Sequence, residues 1–206
     1  MNKNEIESYA SLVLKTFSPN TFGDLQPADC PDLQGDLWGV EVTRAEESWM
    51  VEADVLTSRI AQMKDRNCIP EEKKKKYRIR CYPTDETKPL KAVFSNNGLG
   101  QRIDERRVLW SLTVKLCKLN KGHYKKMRNY GLFIYSNMYC PNDNPCNQEI
   151  LLSKMTKLSE RYPVKYSKVF LLDIHGNFFV FDLSKNTTET YLYGSDFENG
   201  CSTYGN

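Results

Sequence analysis

Three carboxylates in the first quarter of the chain carry the strongest hint of chemistry: Glu7, Asp32 and Glu41. Asp32 follows Pro31 in the segment CPDLQ, and Glu41 lies nine residues further on, inside WGVEVT. A strand there puts Val40 and Val42 on one side and Gly39, Glu41 and Thr43 on the other. An ionised carboxylate between apolar neighbours is costly to desolvate without a counter-charge. Either that face is solvated, or a cation lies against it. Two adjacent short strands would bring Asp32 and Glu41 side by side. Such a pair suits magnesium, which leaves its other positions to water and phosphate oxygens. Taken singly, each feature has a plainer reading. Pro-Asp often marks a turn, a glutamate on an edge strand is often solvated, and Glu7 alone is a helix-surface acid.

The elements that must position these residues follow from periodicity. Residues 4–17 read as a helix with Ile6, Tyr9, Ala10, Val13 and Phe17 on one stripe, ended by Ser18, Pro19 and Asn20. Residues 22–25 read as a short strand and 30–34 as a brief extended segment. Gly35 and Asp36 turn the chain into a strand over 37–43, and 45–63 returns to helical spacing. The stretch 65–100 is irregular, with a Lys run at 73–76 and a strand-like 77–82, and reads as an insertion containing a hairpin. Residues 104–120 form a strong helix with Val108, Leu109, Leu112, Leu116 and Leu119 inward; 130–136 is an apolar strand and 148–162 a further helix. Residues 169–174 and 178–183 form a hairpin around His175-Gly176-Asn177, and the polar tail from Asn186 is expected to fray. The predicted fold is α/β, a mixed central β-sheet flanked by helices, in one domain of residues 1–206 with an insertion over about 65–103.

With these elements in place, PDLQGDLWGVEVT resembles the core signature of the PD-(D/E)XK, or restriction-endonuclease-like, superfamily. That signature is a PD dipeptide, a spacer through a hairpin, then an acidic residue in a strand with Lys two positions later. Pro31-Asp32 match the first part and Glu41 the second. The helix over 4–17 is similar to the family's first helix, from which a glutamate, here Glu7, projects toward the metal. The helix over 104–120 followed by NYGLFIYS is similar to the later part of the core. The resemblance implies a metal-dependent nuclease that hydrolyses phosphodiester bonds, with Glu7, Asp32 and Glu41 holding Mg²⁺ or Mn²⁺. Restriction, repair and defence are its settings, DNA is favoured over RNA, and a homodimer is allowed. The alternative is a catalytically inactive relative that binds nucleic acid or protein.

One position departs from the family. Thr43 stands where the motif has Lys, and threonine cannot act as a cation beside a phosphate whose charge is building. A relocated lysine has one candidate, Lys115. With Leu112, Leu116 and Leu119 defining the inward direction of its helix, Lys115 lies about 60° off it, at the edge of the apolar stripe. Lys118 points away, and Arg44 lies on the face opposite Thr43. Lysines at such an edge more often snorkel to water.

Bulk properties set few limits. A hydrophobic share of 40% and an aromatic share of 12% argue for a packed core rather than long disorder. The net charge of +3 neither demands nor excludes a polyanion partner, although Lys73–Lys76 and the stretch 115–126 with Tyr124 are local basic features. Seven cysteines without an apolar leader suggest free thiols and a cytoplasmic setting. Cys140 and Cys146 have no second close Cys pair, and His123 and His175 lie far apart, so a zinc site lacks ligands. Walker, GxGxxG and GxSxG motifs are absent.

Overall fold

The fold is that of a computed structural model describing residues 3–45, 105–136, 146–173 and 175–193, with isolated positions 72, 75 and 141 and strands at 79–82 and 91–94. The chain forms two compact units, one of Met1–Ala45 with Asp104–Asn206 and one of Glu46–Ile103.

In the first unit, α1 (Lys3–Phe17) and the one-turn α2 (Pro19–Phe22) lead into β1 (Gln26–Pro27), β2 (Leu33–Gln34) and β3 (Trp38–Arg44). After the second unit come α3 (Arg106–Leu119), β6 (Asn129–Ser136), α4 (Cys146–Ser159), β7 (Lys168–Asp173), β8 (Asn177–Asp182) and β9 (Thr187–Leu192). The seven strands pair in the order β1-β2-β3-β6-β7-β8-β9. Pairing is parallel for β3 with β6 and for β6 with β7, and antiparallel elsewhere. The sheet is therefore mixed, and helices cover both of its faces. In the second unit β4 (Ile79–Tyr82) pairs antiparallel with β5 (Lys91–Phe94).

Strand alternation sorts the core into two layers. Phe133, Phe170, Leu172, Phe178 and Val180 join Val40 and Val42 against Ile6, Ala10, Val13 and Leu14 of α1. Their sequence neighbours Leu132, Ile134, Val169, Leu171, Phe179 and Phe181 pack on the other face against Val108, Leu112 and Leu116 of α3 and Leu151 and Met155 of α4. Each such side chain, fully buried, contributes about 1.5–3 kcal/mol relative to an exposed one. Glu41, between Val40 and Val42, thus belongs to the α3 face.

Two expectations fail here. Residues 22–25 are not a strand: Pro19 takes the first turn of α2, where its fixed φ and missing N–H suit a helix start, and Phe22 ends that turn. Pairing begins only at Gln26. The tail does not fray from Asn186; that residue adopts φ 55° and turns the chain into β9, an edge strand whose only buried side chain is Tyr191. The helix expected over 45–63 and the side chains of Cys140 and Cys146 lie outside the described residues. No helix among the described residues is long and apolar enough to cross a membrane.

Candidate active site

The site is built where β2 stops short of β3. Leu33 pairs with Val40 and Gln34 with Gly39, and extending that register by one residue sets Asp32 opposite Glu41. The ladder does not continue, so the Val42 N–H lacks a strand partner. Asp32 supplies one: its Oδ2 accepts that N–H at 2.8 Å. Gly39 makes this approach possible, since a Cβ there would lie 2.5 Å from Pro31 Cγ and 2.8 Å from Met127 Cγ. The Pro-Asp dipeptide is seated on the strand by the glycine beneath it.

Asp32 and Glu41 are 3% and 4% exposed, which raises the question of their counter-charge. Lys115 provides it. The Lys115 ammonium forms an ion pair with Glu41 Oε1 and lies 3.9 Å from Asp32 Oδ2. α3 is anchored for this task at several points. Ser111 Oγ, one turn before Lys115, donates to the Arg44 carbonyl at the end of β3, and Tyr166 Oη donates to the Lys115 carbonyl. At the C-terminus of the helix, Asn120 Nδ2 donates to the carbonyls of Leu116 and Val164.

Glu7 enters from the other face, on α1. Lys3 Nζ bridges it to the edge, 3.2 Å from Glu7 Oε1 and 3.3 Å from Asp32 Oδ1. The contact with Glu7, and then Asp32, holds the Lys3 pKa above its ordinary value. The loop after α3 closes the remaining side. The Lys125 N–H donates to the Cys30 carbonyl at 3.0 Å, and Tyr124 faces Glu41. Burial first, then the Glu41 charge, pushes the Tyr124 hydroxyl far above its usual range, so it stays protonated.

All of Glu7, Asp32, Glu41 and Lys115 are thus linked through Asp32, although Glu7 joins only by way of Lys3. Thr43 is half-buried on β3, two residues beyond Glu41. Arg44 packs its guanidinium 6.0 Å from the centre of the Tyr135 ring. His123 and His175 are both exposed. Lys3 and Tyr166 were missed from sequence. The i,i+4 spacing of Lys3 and Glu7 was a readable signal for the first, whereas Tyr166 arrives from the segment before β7 and has none.

Among the described residues no three His, Cys, Asp or Glu side chains are grouped as a ready metal cage. Here Lys3 and Lys115 lie between the carboxylates. The donor chemistry nevertheless fits a hard divalent cation. Glu41 Oε2 is buried and accepts no hydrogen bond, and a buried acceptor left without a donor is costly. Comparison of the chain with protein-family models, with curated proteins and with solved structures finds no match.

Proposed function

We propose that this protein is a metal-dependent nuclease of the PD-(D/E)XK type that hydrolyses nucleic-acid phosphodiester bonds. One observation carries the reading. Two buried carboxylates, Asp32 just before β2 and Glu41 on β3, share a lysine that lies 74 residues beyond Glu41, while Glu41 keeps an unused buried oxygen. The order helix, hairpin, strand, helix, parallel strand, given by α1, β1–β3, α3 and β6, also agrees with the core that the sequence resembles.

In this reading Asp32 and Glu41 hold Mg²⁺ or Mn²⁺, with Glu7 completing the set from α1. A divalent ion held by these carboxylates would supply a water of lowered pKa and positive charge to offset the leaving oxygen. Lys115, paired with Glu41, stands in for the lysine that Thr43 replaces, and its ammonium offsets charge developing on the phosphate. Tyr124, held protonated, is a hydrogen-bond donor beside the same carboxylate. Val42 N–H fixes the orientation of Asp32, so the site is organised before substrate arrives. DNA is the favoured substrate through the resemblance.

A binding module without catalysis is the second reading, favoured by one feature: Lys3 and Lys115 already balance much of the carboxylate charge without a metal. The test is cleavage of single- and double-stranded DNA and RNA with Mg²⁺ or Mn²⁺, for wild type, Asp32→Ala and Glu41→Ala. The expected outcome is cutting that needs metal and falls by about 10²–10³-fold in each variant. Nucleic-acid binding in chelator with no cutting by wild type would favour the second reading, and cutting undiminished in both variants would refute the site.

A further inference from the structure

Away from the carboxylates, α3 and α4 enclose a groove of about 470 Å³. On α3, Arg106, Leu109 and Trp110 recur at i, i+3 and i+4, and so share one face. Across from them stand Lys157, Leu158 and Arg161, from α4 and the turn that follows it. Leu109 and Leu158 are half-buried against the core below and form an apolar floor. The cations form the rim. Trp110 is 63% exposed, an indole face open to solvent between positive charges. Lys154 also lines the groove, but its ammonium is paired with Glu105.

A solvated helix face explains the lysines and arginines but not the open indole among them. The occupant must offer negative charge and a flat apolar surface together. A duplex presents phosphates but keeps its bases stacked inside. An acidic peptide presents carboxylates without an obligatory ring. A single strand presents both, at neighbouring positions along one chain. We infer that the α3–α4 groove binds single-stranded nucleic acid, with an unpaired base stacked on Trp110 and flanking phosphates paired with Lys157 and Arg161. The choice of nucleic acid over another aromatic polyanion rests on the nuclease reading, to which it adds the strandedness of the substrate.

The test measures binding of a short labelled DNA strand and of its duplex by fluorescence anisotropy, in EDTA so that nothing is cut. Proteins compared are wild type, Trp110→Ala, Trp110→Phe and the double variant Lys157→Gln/Arg161→Gln. Trp110 is exposed, so matched thermal midpoints check that the fold is kept. Trp110→Ala should weaken single-strand binding about 5- to 100-fold, Trp110→Phe much less, and neither should change duplex binding. The double variant should flatten the salt dependence of single-strand binding by about 1.4 in log–log slope. Equal single-strand affinity in Trp110→Ala, duplex binding as tight as single-strand binding, or displacement by polyglutamate at equal strength would each overturn the inference. The two proposals fail separately: the groove is refuted by lost stacking dependence in a protein that still cuts, the nuclease by intact single-strand binding in one that never does.

Discussion

Two pairs of buried acids in this sheet have similar exposure and opposite accounting. Asp173 and Asp182, at the ends of β7 and β8, are 3% and 5% exposed, and Asp32 and Glu41 are no more open. Asp173 Oδ1 accepts the N–H groups of His175 and Asn177, and its Oδ2 accepts Asn177 Nδ2. Asp182 Oδ1 accepts from the Ser184 N–H and hydroxyl and the Lys185 N–H, while Oδ2 lies 3.4 Å from Lys168 Nζ. Every oxygen is occupied, and apart from Lys168 on the neighbouring strand the partners are local turn groups. At the β2–β3 edge, the Val42 N–H aside, the charged partners are lysine side chains distant in sequence, and Glu41 Oε2 accepts no hydrogen bond. Burial of an acid therefore says little about its role. The oxygen left over, and the reach of the partner, say more.

This contrast can be broken most directly at Lys115. Lys115→Met should cost about 3–5 kcal/mol in EDTA, because it leaves Asp32 and Glu41 buried with a partner charge removed. Saturating Mg²⁺ should restore much of that loss, about 2.7 kcal/mol at a hundredfold excess over its Kd. Urea unfolding with and without Mg²⁺ measures both; a cost below about 1 kcal/mol with no response to the metal would place this site with the turn acids. A smaller effect is expected at the other pair. Asp173→Asn should lose about 1–3 kcal/mol of stability by disturbing the β7–β8 turn, with cleavage and the Mg²⁺ response unchanged. A metal-dependent change in that variant would erase the distinction.

The smallest effect is in acid. Burial pushes the Asp182 pKa up, but the Ser184 and Lys185 hydrogen bonds and the Lys168 charge outweigh it and hold the carboxyl below its ordinary 3.8. A depressed folded value means that the contribution to stability is present above 3.8 and is lost as pH falls through the lower folded value. The thermal midpoint of wild type should therefore drop more steeply below that pH than the midpoint of Asp182→Asn. Parallel curves would remove Asp182 from the set of structurally committed acids.

Much of the sheet and its helices was legible because their burial is one-sided. α1, α3, β6 and the β7–β8 hairpin show apolar periods of 3.6 or near-continuous apolar runs, which few other arrangements would satisfy. β9 escaped because an edge strand with one buried side chain leaves almost no hydrophobic signal; its Thr-rich composition was the remaining clue. Phe22 misled for the opposite reason, its apolar character serving packing rather than pairing. Within the site, Lys115 was reachable from sequence by helix geometry alone, since its angle off the leucine stripe fixes where its stem begins. The bridge from Lys3 to Asp32 and the approach of Tyr124 depend on how a helix start and a loop fold back on the sheet edge. Neither leaves a periodic trace.

The unit of residues 46–103 interrupts the chain between Glu41 and Lys115, the two partners whose ion pair organises the site. Closing a loop costs only logarithmically more as it lengthens, about 0.6 kcal/mol for each doubling. In thermodynamic terms the length of the interruption is thus a minor cost. A change in its length should therefore cost the Lys115–Glu41 pair little, since α3 is docked on β3 by contacts of its own, such as the Ser111 hydrogen bond to the Arg44 carbonyl.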